Sequence, residues 1–347
     1  MERPKSSYAW QISAAARLIR LVMSGRAVRS VIHHVNQQDI SVKSIAFNRL
    51  LAPLAALLLS PAAFAQAAPT EAPAEVEALD PVKVTPVATR DVDPALWVVK
   101  DEDTTIYLFG TVHILKPGMS WFDDAVKDAF DKSDRLVLEL VEPSAAESQS
   151  IFMKVAIDQS GKTLRSKLAD ADRATFEGAM AKVGLPAQTL DPFDPWAAAV
   201  TMQVLAMTKS GFDLNSGVEK QLTAAANASK KPIEGVETMA YQLGIFDGLS
   251  EADQIAFLNE SAKSIDQLSP AMDRLVDLWA QPDPEGLASA MNEGFSNPRI
   301  YSALLTNRNA NWAKWVEAQL KKPGTTFMAV GAGHLSGPTS VPKLLSA

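Results

Sequence analysis

The apolar positions of this 347-residue chain change period twice. From Ala95 they begin with short alternating runs, pass into a long stretch of helical spacing, and return to an extended run near the C-terminus. Leu96-Trp-Val-Val99 and Thr105-Ile-Tyr-Leu-Phe109 flank Asp101-Glu-Asp103 and predict a hairpin across a polar turn. Trp121 to Lys132 predicts a helix, with Trp121 or Phe122, Ala125, Val126, Ala129 and Phe130 on one face. Arg135 to Val141 reads as a strand whose Leu136, Leu138 and Leu140 share one face while Val137, Glu139 and Val141 share the other. The middle predicts helices over 145–158, 170–183, 195–207, 217–229, 238–246, 251–262 and 264–280, broken by Pro and Gly and by one short strand at 232–236. A helix over 307–320 leads to a last strand, 325–330. This order predicts an α/β (α+β) domain over 95–347, with one mixed sheet built from strands at both ends of the chain and a mainly helical middle layer or cap.

Upstream of the domain the periodicity is lost. Lys43 and Arg49, the run from Leu50 to Leu59, and Ala63-Phe-Ala65 form the basic region, apolar region and cleavage site of a secretory signal peptide over about 42–65, cut after Ala65. The apolar run falls short of a membrane span of about 20 residues. Export to the periplasm is therefore expected, with no stable membrane span after cleavage. Residues 1–41 place Arg17, Arg20, Arg26 and Arg29 around apolar positions, a pattern open to a basic amphipathic helix at a membrane face or, as expected here, to a misassigned start; 1–65 is read as a leader. Residues 66–94, rich in Ala, Pro, Glu and Val, read as a disordered tether, because such a composition buries too little apolar surface to fold.

Charge narrows the partners. The leader holds 8 of the 33 Lys and Arg and 2 of the 40 Asp and Glu, leaving 25 basic against 38 acidic residues, about 13 negative charges. No basic patch exists for nucleic acid to meet. The chain has no cysteine, which excludes a thiol nucleophile, a thiolate zinc site and a lipid-anchored N-terminus.

Histidine is the scarce chemical resource. Two of the four lie outside the leader, in matching frames: Tyr107-Leu-Phe-Gly110-Thr-Val-His113 and Met328-Ala-Val-Gly331-Ala-Gly-His334. Each frame is an apolar strand, a Gly, two small or slim residues and an imidazole, at the strand end where α/β folds place their chemistry. Glu139, inside an apolar strand, is costly to bury without a partner. Glu237 stands at a strand-to-helix junction, and Arg308 opens the helix before the last strand. The guanidinium suits a substrate carboxylate or carbonyl, or a pair with Glu139. Two His and one or two Glu from separate strand ends also make a set able to hold a divalent metal. Gly-x-Ser-x-Gly, Gly-x-x-x-x-Gly-Lys and Gly-x-Gly-x-x-Gly are all missing, which removes the serine-elbow hydrolases and the nucleotide enzymes.

Gly110-Thr-Val-His113, Leu138-Glu139-Leu, Gly235-Val-Glu237-Thr with Gln242 and Phe246, Gln254, Arg308-Asn309 before Trp312, and Val330-Gly-Ala-Gly-His334-Leu-Ser-Gly337 together resemble the signature blocks of the TraB/PrgY/GumN family. The resemblance runs from about Leu96 to Leu345, and the Gly-x-x-His pair is shared with the Tiki membrane proteases. It implies His113, Glu139, Glu237, Arg308 and His334 as site residues, and manganese, cobalt or zinc as a plausible cofactor.

Three readings follow. In a metal-dependent, peptidase-like hydrolase, His113, His334 and Glu139 hold the cation, the second Glu takes a proton and Arg308 steadies the oxyanion. In a metal-free hydrolase a His is the general base and a neighbouring Glu orients it. In a periplasmic binding protein the histidines retain a peptide, haem or metal without chemistry. The expected partner is a peptide or small-molecule substrate.

Overall fold

The computed structural model describes residues 90–292 and 297–346. The leader and most of the tether lie outside the described residues, but residues 90–94 belong to the fold. Strand β1 (Arg90–Asp91) pairs in parallel with β4 (Met119–Ser120), and Val92 is buried.

The main sheet has five strands in the order β2-β3-β7-β5-β6. They are β2 (Leu96–Lys100), β3 (Thr104–Thr111), β5 (Arg135–Leu140), β6 (Ile233–Glu237) and β7 (Gly324–Gly331). The acidic turn closes a hairpin, since β2 and β3 are antiparallel with Val99 opposite Ile106, and every other pairing is parallel. The first and last long strands are neighbours: β3 and β7 run side by side from Thr104–Gly324 to Thr111–Gly331. The two Gly-x-x-His frames therefore end together at one edge of the sheet.

Alternation along the strands separates two cores. Phe109, Leu136, Leu138, Leu140, Phe327 and Ala329 face the larger core, while Ile106, Leu108, Val137, Met328 and Val330 face the smaller one. On the larger side lie α1 (Asp124–Lys132), α2 (Ala145–Ala156), α3 (Asp170–Val183), α4 (Pro195–Lys209), α5 (Val218–Ala228), α6 (Met239–Asp247), α7 (Glu251–Lys263), α8 (Leu268–Trp279) and α9 (Pro284–Asn292). From the single-turn helix α10 (Pro298–Tyr301) the chain passes through a π-helical segment, Ser302–Thr306, into α11 (Asn307–Gln319). With the C-terminal α12 (Val341–Leu345), α11 covers the smaller core through Trp312, Ala313, Val316 and Val341. Helices thus cover both faces of the sheet, the helical middle forming one layer and α11 the other.

The expected helices depart from this in three places. The helix expected from Trp121 starts at Asp124, because Trp121 stacks on Phe109 at 5.6 Å and belongs to the core rather than to the helix face. The expected helix 264–280 is a 3₁₀ turn, Ile265–Gln267, followed by α8. Helices α9 and α10 were not expected at all, although each begins with a proline, a common first helical residue. No described helix is long and apolar enough to cross a membrane.

Candidate functional site

The odd positions of β5 decide where Glu139 goes. It shares a face with Val137, so it points to the α11 side of the sheet, where it is buried. Helix α11 presents Arg308 and Trp312, one turn apart, with the guanidinium 4.8 Å over the indole ring. Arg308 Nη2 donates to Glu139 Oε2 at 2.6 Å and to Glu237 Oε2 at 2.8 Å, and Nε donates to Glu237 Oε1 at 3.0 Å. Nη1 donates to the Leu304 carbonyl of the π-helical segment at 3.2 Å and lies 3.1 Å from His334 Nε2. All five guanidinium N–H groups are therefore engaged. A free Arg308 that grips a substrate carboxylate or an oxyanion was one sequence expectation, and this saturation does not fit it. The alternative expectation, a pair with Glu139, is what the fold builds.

The carboxylates are tied as firmly. Gly331 N–H donates to Glu139 Oε1 at 2.7 Å, and Gln242 Nε2 bridges Glu139 and Glu237 at 3.0 Å each. Trp312 Nε1 donates to Glu237 Oε1 at 3.0 Å. Glu237 reaches the cluster because Thr238 caps α6, its hydroxyl accepting from Tyr241 N–H, which fixes the turn out of β6.

His334 is wholly buried. Its Nδ1 stands 2.6 Å from Asn309 Oδ1, an acceptor, so Nδ1 carries the proton and Nε2 offers its lone pair to Arg308. Burial, then the Arg308 charge, then His113 hold its pKa well below the ordinary 6.5. It is a neutral imidazole that supports Arg308.

His113 is built differently. Helix α5 begins against its backbone: Val218 N–H donates to the Val112 carbonyl at 3.1 Å, and a Cβ on Gly217 would stand 2.2 Å from the His113 carbonyl oxygen. Only glycine permits that approach, and it sets Glu219, the second residue of α5, beside the imidazole. Glu219 Oε1 lies 2.5 Å from His113 Nδ1 and also accepts from the Thr111 hydroxyl. The carboxylate approaches off the N–H axis, so charge holds this pair more than hydrogen-bond alignment does. Burial alone would lower the His113 pKa, but Glu219, helped by Glu139, outweighs it and raises the value above 6.5. The same charge lowers Glu219 against its own burial. His113 Nε2 has no partner and is buried.

The two histidines meet over Gly331. A Cβ there would lie 3.0 Å from Glu139 Oε1, 3.5 Å from His334 Cδ2 and 3.9 Å from His113 Nε2. The missing side chain leaves a cradle in which an atom touches an acceptor oxygen and sits in front of an unpartnered imidazole nitrogen.

Whether a divalent cation fits is decided by lone pairs. His113 Nε2 offers one. His334 Nε2 has given its own to Arg308, and both carboxylates already share that guanidinium charge. Among the described residues, no three His or acidic groups converge as metal ligands. The set His113, Glu139 and His334 does not fit a three-ligand ion while Arg308 holds its place.

The five residues named from the sequence are thus brought together: His113, Glu139 and His334 meet at Gly331, and Arg308 joins Glu139 to Glu237. The sequence reading did not find Glu219. It gave Gln242 and Asn309 no role of their own, although both stand in the blocks on which the family resemblance rests.

The sequence model of the TraB/PrgY/gumN family matches residues 95–347. The chain belongs to the TraB/PrgY/gumN family. An uncharacterised protein of Treponema pallidum is 24% identical over 264 residues, covering 71% of this chain and 78% of that protein. The uncharacterised protein YbaP of Escherichia coli is 21% identical over 252 residues, covering 73% of this chain and 92% of YbaP. No solved structure gives a significant match. Every residue of the Gly331 cluster lies inside the matched TraB/PrgY/gumN segment.

Proposed function

We propose that the protein is an exported hydrolase of acyl bonds, in peptides or small-molecule esters, with His113 as general base and Glu219 as the residue that orients and charges it. The observation that carries this reading is the unpartnered, buried His113 Nε2 facing the Gly331 cradle, with a carboxylate at Nδ1. A water in the cradle donates one hydrogen bond to Glu139 Oε1, gives its other proton to His113 Nε2 and attacks the acyl carbon. The imidazolium returns that proton to the departing alkoxide or amine, so the base is regenerated in each turnover. Glu219 stabilises the imidazolium between the two steps. Arg308 and Gln242 hold Glu139 in place through their hydrogen bonds, and His334 supports Arg308. This is the metal-free form of the hydrolase; a metal-dependent form requires Arg308 to withdraw so that His334 can turn its lone pair to a cation.

The test is hydrolysis of a peptide and ester panel by the secreted chain. Wild type is expected to keep its rate in excess chelator, and His113→Ala to lose at least about 100-fold in kcat while remaining folded. Glu219→Gln should lower kcat and move the acid limb of the pH profile to lower pH. The neutral imidazole is the active form, and without the carboxylate its pKa falls under burial. A chelator-sensitive rate restored by manganese or cobalt would replace this mechanism with the metal-dependent one. Undiminished turnover in His113→Ala would remove both.

A further inference from the structure

Thr111 is the last residue of β3 and stands opposite Gly331 in the register of β3 and β7. It is buried, and its hydroxyl donates to Glu219 Oε1 at 2.5 Å. The same oxygen lies 2.5 Å from His113 Nδ1, so one carboxylate oxygen serves both groups. Threonine is β-branched and stiff at χ1, which fixes the direction of its hydroxyl relative to the strand that leads into His113.

Glu219 needs such a tie. It belongs to α5 and not to the sheet, and its side chain keeps 14% of its exposure where that of His113 keeps 3%. It lines a cavity together with Lys220 and Glu142, so a second cation stands near its carboxylate. Besides His113, the partners of that carboxylate are its own backbone N–H and the Thr111 hydroxyl. The N–H moves with α5, and the off-axis approach to His113 gives little alignment to hold the carboxylate there. The hydroxyl is therefore what ties Glu219 to the paired strands that carry the cradle.

We infer that Thr111 is a positioning residue: its hydroxyl holds Glu219 against His113 Nδ1, which keeps the proton on that nitrogen and leaves the Nε2 lone pair facing the Gly331 cradle. The inference rests on the hydrolase reading for its effect on turnover, but not for its effect on the imidazole. Two measurements separate them. The first is a nitrogen–proton correlation spectrum of the imidazole rings in the histidine-labelled secreted chain, which carries His113 and His334 alone, at an alkaline pH where both rings are neutral. Wild type is expected to show both rings protonated at Nδ1. Thr111→Val, which keeps the shape and removes the donor, should move His113 toward the Nε2-protonated form, and Glu219→Ala should complete that shift. Thr111→Ser should keep the wild-type pattern, while His334, held by Asn309, stays in place as the internal reference. Thr111→Ala gives the same readout where valine does not fold. The second measurement is kcat and KM on the peptide and ester panel. Thr111→Val is expected to lose about 10-fold in kcat with KM within about two-fold of wild type, and Thr111→Ser to recover most of the loss. A shifted His113 tautomer in a chain that hydrolyses nothing upholds the positioning and defeats the hydrolase reading alone. A His113 tautomer unchanged in Thr111→Val, or as altered in Thr111→Ser as in Thr111→Val, overturns the inference.

Discussion

One guanidinium carries the balance of the cluster. Arg308 is almost wholly buried, and its charge is shared by Glu139 and Glu237, both buried in turn. Replacing an interior ion pair by apolar groups is often neutral, but removing a single partner leaves an uncompensated charge that costs about 3–5 kcal/mol. Here two carboxylates would be stranded. Arg308→Met is expected to lose at least that much stability by urea unfolding, and adding Glu237→Gln should recover part of it, because one carboxylate then remains instead of two. A variant with wild-type stability would show that water already reaches these carboxylates. The residues of the cluster differ in how plainly the sequence announces them. Glu139 is legible because a charge in the strand Leu-Val-Leu-Glu-Leu breaks the pattern, and the two histidines because both follow a strand and a Gly. Glu219 is not. An acid in the first turn of a helix is ordinary, stabilised by the helix dipole wherever it occurs, so nothing in the local sequence separates an orienting carboxylate from a capping one.

At the scale of elements, the site depends on β3 and β7 being neighbours, because that pairing alone brings two frames 221 residues apart to one edge. The hydrophobic pattern foretold both strands and their joining in one sheet. It could not foretell that α5 would arrive at the same edge, since the meeting of Gly217 with the His113 carbonyl is a long-range contact with no periodic signature. The π-helical segment before α11 is equally silent in sequence, yet its Leu304 carbonyl helps hold Arg308. The end of β7 offers the sharpest test of the cradle. Gly331 has no need of a left-handed backbone, so alanine there adds only a methyl group, 3.0 Å from Glu139 Oε1 and in front of His113. Gly331→Ala is expected to cost about 1–2 kcal/mol of stability for the crowded carboxylate. It should lose at least about 100-fold in kcat, because the methyl occupies the position of the attacking water. Activity close to wild type in a folded Gly331→Ala would place the reacting atoms elsewhere.

The helical layer carries an electrostatic cluster of its own, separate in sequence and contacts from the Gly331 site. In the helical layer, Lys167 is buried among Asp158, Glu251 at 2.8 Å and Asp194 at 3.8 Å, joining the loop after α2 to the starts of α4 and α7. Asp194 begins α4 without a side-chain capping bond, and burial together with the Asp158 charge pushes its pKa up to about 6. The sign of the consequence follows from that direction. A carboxylate with a raised folded-state pKa contributes stability that is whole below the ordinary value near 3.8 and is lost as the pH rises through about 6. Above that pH an ionised Asp194 strains the layer. Because the group is only partly buried, solvent screening limits the effect to about 1 kcal/mol. Asp194→Asn should therefore raise the urea midpoint at pH 7.5 and leave it nearly unchanged at pH 3.5, with Lys167 still paired to Asp158 and Glu251 in both chains. Neither the Gly331 cradle nor His113 touches this cluster, so turnover should stay at the wild-type level while stability moves. An equal shift at both pH values would mean that the gain comes from packing or helix capping, and that Asp194 is not the group whose ionisation the helical layer resists.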